Sequence, residues 1–159
     1  MTKRSTVHAT FVIERTYPAT PERVFQAFAD PKAKARWFSA PAEWEQSRGK
    51  LEFKAGGKEF LSSTPPGHKP HTYEATYLDI VPNERIIYVY EMHIGPNKIS
   101  ESLATIELAP EGQGKNRGTR LKLTEQGAFL DGYDDAGSRE KGTHGLLDQL
   151  GKSLAGMNS

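Results

Sequence analysis

Glu91, Glu125 and His144 are the side chains of this 159-residue sequence best suited to moving protons. Each glutamate stands in a strand-like run among apolar neighbours, and the histidine lies in a helical stretch near the end of the chain. A carboxyl group facing a dry hollow has its pKa raised, and an imidazole beside it can exchange protons with it. Catalysis on that pattern requires at least two of the three to converge within hydrogen-bond reach. The alternative is that each carboxylate lies on the outer, solvated face of a sheet. Binding without catalysis is therefore the favoured expectation.

Other chemistries have weaker footing. His68 and His71 are spaced as in some metal sites, but the loop Ser63 to Pro70, which holds the first and ends just before the second, carries three prolines and no carboxylate partner. No metal is expected. The run Gly112-Gln113-Gly114-Lys115-Asn116-Arg117-Gly118 lies between two strand-like segments, whereas a phosphate cradle needs a following helix. It reads as a hairpin tip. Ser138 and the other serines have no nucleophile-elbow context. With no cysteine there is no disulfide, thiolate nucleophile or thiolate metal site. No cofactor is expected.

Aromatic residues are the other candidates. In the stretch Arg85 to His93, Ile86, Tyr88, Tyr90 and Met92 share one face by the period of two. Ile87, Val89, Glu91 and His93 share the other. A tyrosine-rich face offers apolar bulk with hydroxyls to orient a polar group on a ligand, and core packing explains it equally well. The expected lining of a binding site is Trp37, Phe38, Phe53, Tyr73, Tyr77, Tyr88, Tyr90, Met92 and Phe129, joined by His144 and Leu147 from the terminal helix.

These residues must be positioned by strands and a few helices. Ala9 to Tyr17 has strand composition. Thr20 then supplies a hydroxyl cap and Pro21 the first helical position, where its missing N–H costs nothing. Val24, Phe25 and Phe28 form one apolar stripe. Asp30-Pro31 repeats the signal and predicts a second short helix to about Arg36, followed by Trp37-Phe38. Leu51 to Ala55 and Lys58 to Ser62 flank Gly56-Gly57, which predicts a tight hairpin. Strands are expected at His71 to Val81, Arg85 to His93, Ser100 to Leu108 and Thr119 to Gln126, joined by short turns as an antiparallel meander. Gly127 to Asp135 is expected as a loop. Asp134 or Asp135 then caps a long helix with the stripe Leu146, Leu147, Leu150 and Leu154 and a stop at Gly156. Gly142 and Gly145 weaken that helix, either as a tolerated defect or as room left beside a ligand.

The length suits one domain, with residues 1–6 expected to be a flexible N-terminus. Twenty-one Lys and Arg balance twenty Asp and Glu, a net charge of +1 that gives no basis for nucleic-acid binding. No apolar run approaches the ~20 residues that cross a bilayer, and no signal-type stretch follows the basic start. A cytoplasmic protein without membrane insertion is expected.

The chain resembles the SRPBCC superfamily, the START-like helix-grip proteins. Within it, the likeness is to the branch related to the C-terminal domain of the activator of the heat-shock-protein-90 ATPase. It rests on Ala19-Thr20-Pro21-Glu22-Arg23-Val24-Phe25, Trp37-Phe38, Phe53-Lys54-Ala55-Gly56-Gly57, Tyr77 to Ile86, Ser102 to Leu108 and Gly118-Thr119-Arg120-Leu121. Together with the terminal helix these matches run in order from about residue 8 to 154. The resemblance implies an α+β helix-grip fold, a curved antiparallel sheet of six or seven strands around a long C-terminal helix. It also implies a cavity holding a small hydrophobic or aromatic ligand, for a carrier, sensor or scavenger. A cyclase, hydratase or lyase using the same cavity, and a co-chaperone-like module with a chaperone partner, are the alternatives. A homodimer through sheet edges or the hairpin is compatible with superfamily habit. One departure stands out: many relatives carry Gly-Trp in the final helix, where this chain reads Gly142-Thr143-His144-Gly145. If that position faces the hollow, a bulky ring has become a smaller, titratable one.

Overall fold

Helix starts are built where proline and a capping oxygen coincide. In the computed structural model, which describes residues 3–156, the Thr20 hydroxyl accepts from the Arg23 N–H and α1 runs Pro21–Ala29. Asp30 accepts from the Ala33 N–H at 2.9 Å and opens the short α2, Pro31–Ala35. Both caps are the ones the sequence predicts, and both prolines occupy the first turn. α1 buries Val24, Phe25, Ala27 and Phe28.

Among the described residues, seven antiparallel strands form one open sheet in the order β1-β7-β6-β5-β4-β3-β2. They are β1 Thr6–Tyr17, β2 Glu45–Arg48, β3 Lys58–Thr64, β4 His71–Val81, β5 Arg85–Ile94, β6 Asn97–Glu111 and β7 Gly118–Leu130. Strands β3 to β7 follow each other as a meander, because their connections are too short for crossovers. β1 closes against β7 along its whole length, from Thr6 opposite Leu130 to Tyr17 opposite Thr119. Residues 1 and 2 of the expected flexible N-terminus lie outside the described residues. Arg4 and Ser5 both donate to the Asp131 carboxylate.

α3, Ala136–Gly156, lies across the concave face, and Leu147, Leu150 and Leu154 are its buried stripe. They join Phe11, Ile13, Tyr17, Val24, Phe25, Ile106, Leu121 and Leu123 in one core. Asp135 caps α3, accepting from the Ser138 N–H at 2.8 Å, while Asp134 turns its carboxylate to Arg139 instead. The architecture is the α+β helix-grip arrangement that the resemblance implies.

Two sequence expectations need correction. Leu51 to Ala55 is not a strand. The Lys54 N–H bonds the Glu52 carbonyl and the Gly57 N–H bonds the Lys54 carbonyl, so the segment curls. A Cβ on Gly57 would stand 1.9 Å from the Glu52 carbonyl oxygen, a contact only glycine permits. The curl turns Leu51 and Phe53 onto the main core. The partner of β3 is the polar, fully exposed Glu45–Arg48, which has no apolar alternation to betray it. Gly127 to Leu130 is likewise strand rather than loop. Gly127 leaves space for the Phe129 ring, whose edge would lie 3.0 Å from a Cβ there.

Packing of α3 sets the stability of this architecture. Leu150→Ala, at a fully buried position, is expected to cost about 2–5 kcal/mol in urea denaturation. Gly145→Ala meets open space and is expected to add about 0.5–1 kcal/mol by the same measurement.

Candidate functional site

α3 meets the sheet in two ways. Its second half packs down: the Tyr17 hydroxyl donates to the Leu147 carbonyl at 2.8 Å, and a Cβ on Gly151 would lie 3.2 Å from the Tyr17 ring. Its first half is raised over a space instead, with Arg139, Gly142, Thr143 and Leu146 bordering it. Beneath that raised half is a cavity of about 300 Å³. Such a volume lies at the lower end of the usual range for small-molecule sites. Two other depressions lie on the outer sheet face, one among Glu14, Arg85, Glu107 and Lys122, the other among His8, Val89 and Gln126.

Each wall of the cavity follows from local structure. Phe28 comes from α1, and Trp37 and Phe38 from the segment just after α2, which is tied back to α1 by the Trp37 indole N–H donating to the Ala27 carbonyl at 2.9 Å. β4 and β5 present Tyr73, Tyr88, Tyr90 and Met92 by strand alternation. Arg139, Gly142, Thr143, Leu146 and Leu147 line it from α3, at helical spacing. The rings form a continuous wall, with Phe38–Tyr73 at 5.0 Å, Tyr73–Tyr90 at 5.1 Å and Tyr88–Tyr90 at 6.0 Å between centroids.

Two buried polar clusters flank the aromatic wall. In the first, the Lys34 ammonium donates to Glu59 at 2.6 Å and to the Tyr77 hydroxyl at 3.1 Å, and Tyr77 donates to Glu59 at 2.7 Å. Lys34 and Glu59 are 5% and 3% exposed, and the ammonium sits 4.6 Å over the Phe38 ring. Burial pushes the lysine below its ordinary pKa, and the Glu59 carboxylate pulls against that shift. In the second, the Tyr90 hydroxyl donates to Glu125 at 2.8 Å. Arg139 donates to Tyr90 at 3.0 Å, to Ser100 at 2.9 Å and to Asp134 at 2.9 Å. The guanidinium is 3.8 Å from Glu125 and lies over the Phe129 ring at 5.3 Å. Burial raises the Glu125 pKa, partly offset by the Tyr90 hydroxyl and Arg139.

Of the three proton-transfer candidates only Glu125 reaches the cavity. Glu91 is on the outer face, 2.9 Å from Lys98, because it shares a strand face with the exposed Val89 and alternates with the inward Tyr90. His144 is one position off the inward row of α3 and meets Arg15 at 2.9 Å and Glu140 at 3.6 Å. The three do not converge. Among the expected lining residues, Trp37, Phe38, Tyr73, Tyr88, Tyr90, Met92 and Leu147 line the cavity. Phe53 and Tyr77 instead pack together at 5.0 Å in the main core, and Phe129 lies beneath Arg139 outside the lining. His71 borders the cavity with its pKa lowered by burial, and no group able to hold a metal is found among the described residues.

Sequence reasoning missed Lys34, Glu59 and Arg139. Arg139-Glu140-Lys141 reads as a solvated charged run, yet Arg139 precedes Thr143, Leu147, Leu150 and Leu154 on one helical row. That periodicity was the available signal. Lys34 follows the proline of a five-residue helix too short to show a pattern.

Breaking a buried ion pair strands a charge. Lys34→Met is therefore expected to cost about 3–5 kcal/mol in chemical denaturation, and Lys34→Met with Glu59→Gln to recover most of it. Glu125 gives a pH dependence. Its proton is held more tightly folded than unfolded, so its contribution is most favourable below its ordinary value of 4.5 and declines as pH rises toward the raised value. Glu125→Gln should remove that decline, so the stability difference between variant and parent should grow in the variant's favour from pH 4.5 upward.

The activator of Hsp90 ATPase homolog 1-like protein family model matches residues 18–155. A protein of known structure from Rhizobium leguminosarum is 45% identical, with a TM-score of 0.89 over 97% of this chain and 99% of its own. Mll3558 from Rhizobium loti is 47% identical, with a TM-score of 0.84 over 94% and 99%. DynU16, from the dynemicin biosynthetic locus, is 17% identical over 92% of this chain and 47% of its own, with a TM-score of 0.61, and shares the fold alone. No curated protein matches the sequence. With nearly the whole chain matched, this protein belongs to the activator of Hsp90 ATPase homolog 1-like family, in the helix-grip superfamily that its sequence resembles.

Proposed function

We propose that this protein binds a small lipophilic or aromatic molecule between its sheet and α3, as a carrier, sensor or scavenger. The observation that carries this reading is the aromatic-walled cavity of about 300 Å³ under the raised half of α3. Protein interiors pack densely with few voids larger than a water molecule, so a gap this large, with one wall of rings, is suited to a guest. Its apolar lining supplies affinity through burial and its polar groups supply orientation. Among the described residues no helix is long and apolar enough to cross a membrane. A catalytic use of the same cavity has one observation behind it, the buried Glu125 in contact with the Tyr90 hydroxyl. A proton passed between that pair and a bound substrate is the chemistry such a reading requires.

Gly142 borders the cavity and a Cβ there would meet nothing within 4 Å, so Gly142→Trp should fold while filling the site. A thermal-shift screen against 1-naphthol, flavone and dodecanoate should find a binder, which at 100 times its Kd adds about 2.7 kcal/mol of stability. Gly142→Trp should melt normally and lose the shift. Absence of any shift, together with no co-purifying small molecule by native mass spectrometry, would sink the proposal.

A further inference from the structure

Four tyrosines, Tyr73, Tyr77, Tyr88 and Tyr90, stand side by side on the inner faces of β4 and β5. Two have their hydroxyls committed within the protein, Tyr77 to Glu59 and Lys34, and Tyr90 to Glu125 and Arg139. The other two do not. Tyr73 is 7% exposed, and its hydroxyl oxygen is buried with no hydrogen-bond partner. Tyr88 also lines the cavity, and its hydroxyl makes no hydrogen bond to any described residue. A buried phenol hydroxyl without a partner is rare, because its proton seeks an acceptor.

The charges around the cavity are arranged oppositely. Lys34 is closed by Glu59, and Arg139 is closed by Asp134, Glu125 and the Tyr90 hydroxyl. An ionised ligand would therefore have to compete with ion pairs that are already made. Within the aromatic wall itself, the open valences are the two phenolic donors. A carbonyl oxygen answers a donor well, since it offers two lone pairs and brings no hydrogen of its own to be placed.

We infer that the cavity selects uncharged, flat ring compounds bearing a carbonyl oxygen, of the aryl ketone or quinone class, with Tyr73 and Tyr88 as the donors. This deepens the proposed binding function and rests on it. The ring packs on the aromatic wall, and the carbonyl sets its orientation.

The test is calorimetric titration with four matched probes: 1-tetralone, the hydrocarbon tetralin, 1-naphthoate and 1-naphthylmethylamine. The parent protein should bind 1-tetralone about tenfold more tightly than tetralin, the scale of one well-made hydrogen bond. Both ions should bind more weakly than the ketone. Tyr73→Phe and Tyr88→Phe remove one oxygen each and keep the rings, so tetralin binding should persist and report an intact fold. The ketone preference should shrink in one or both single variants and vanish in the double variant. Equal binding of ketone and hydrocarbon, tightest binding by either ion, or a preference that survives in the double variant overturns the inference and leaves the cavity's binding role standing. No binding by any probe overturns the binding role itself, and the inference falls with it.

Discussion

The structure turns on how α3 is held: clamped at one end and raised at the other. Leu147, Leu150 and Leu154 fasten the second half into the core, reinforced by the Tyr17 hydroxyl on the Leu147 carbonyl. The first half has glycine at 142 and 145 and is joined to the sheet through the long Arg139 side chain, which spans to Tyr90 and Ser100. The leucines exclude everything between helix and sheet. The arginine acts as a spacer. One helix therefore supplies both the core that stabilises the fold and the roof of its cavity.

The polar groups near that roof obey the rule that buried charge must be paired. Lys34 with Glu59, and Arg139 with Glu125 and Asp134, are closed units on opposite sides of the tyrosine wall. Pairs of this kind add little net stability compared with apolar packing, but they fix geometry because each partner is costly to leave alone. Here they hold Tyr77 and Tyr90 in place and, through the ring contacts, order the aromatic wall between them. A rigid wall has little conformational entropy to lose when a guest arrives.

Most of the fold was legible because its determinants are local. Thr20-Pro21 and Asp30-Pro31 state two helix starts outright, and the alternation from Arg85 to His93 separates Tyr88 and Tyr90 from Glu91 on opposite faces, although it does not say which face is inward. What stayed hidden depends on distant partners. Glu45–Arg48 is a strand only because β3 lies beside it, and Leu51 to Ala55 abandons the ladder to bury Leu51 and Phe53. In the site, the aromatic lining was readable from strand period, whereas Lys34, Glu59 and Arg139 were not. Charged residues are ordinarily solvated, and only the three-dimensional pairing reveals them as interior. His144 was misplaced for the converse reason: a helix offers several faces, and one residue's shift moved it from the cavity to Arg15.

Pairing β1 with β7 joins Tyr17 to Thr119 and Thr6 to Leu130, so the first strand of the chain finds its partner in the last. The intervening meander can form step by step through short turns, but this final seam must close a loop spanning most of the sequence. Contacts of such separation slow folding, since loop entropy is lost before pairing compensates for it. During synthesis β1 emerges before β7 and stays unpartnered until β7 leaves the ribosome, its core residues Phe11 and Ile13 exposed meanwhile. The seam that completes the sheet is thus also the interval in which a nascent chain is most open to chaperones and to misassociation.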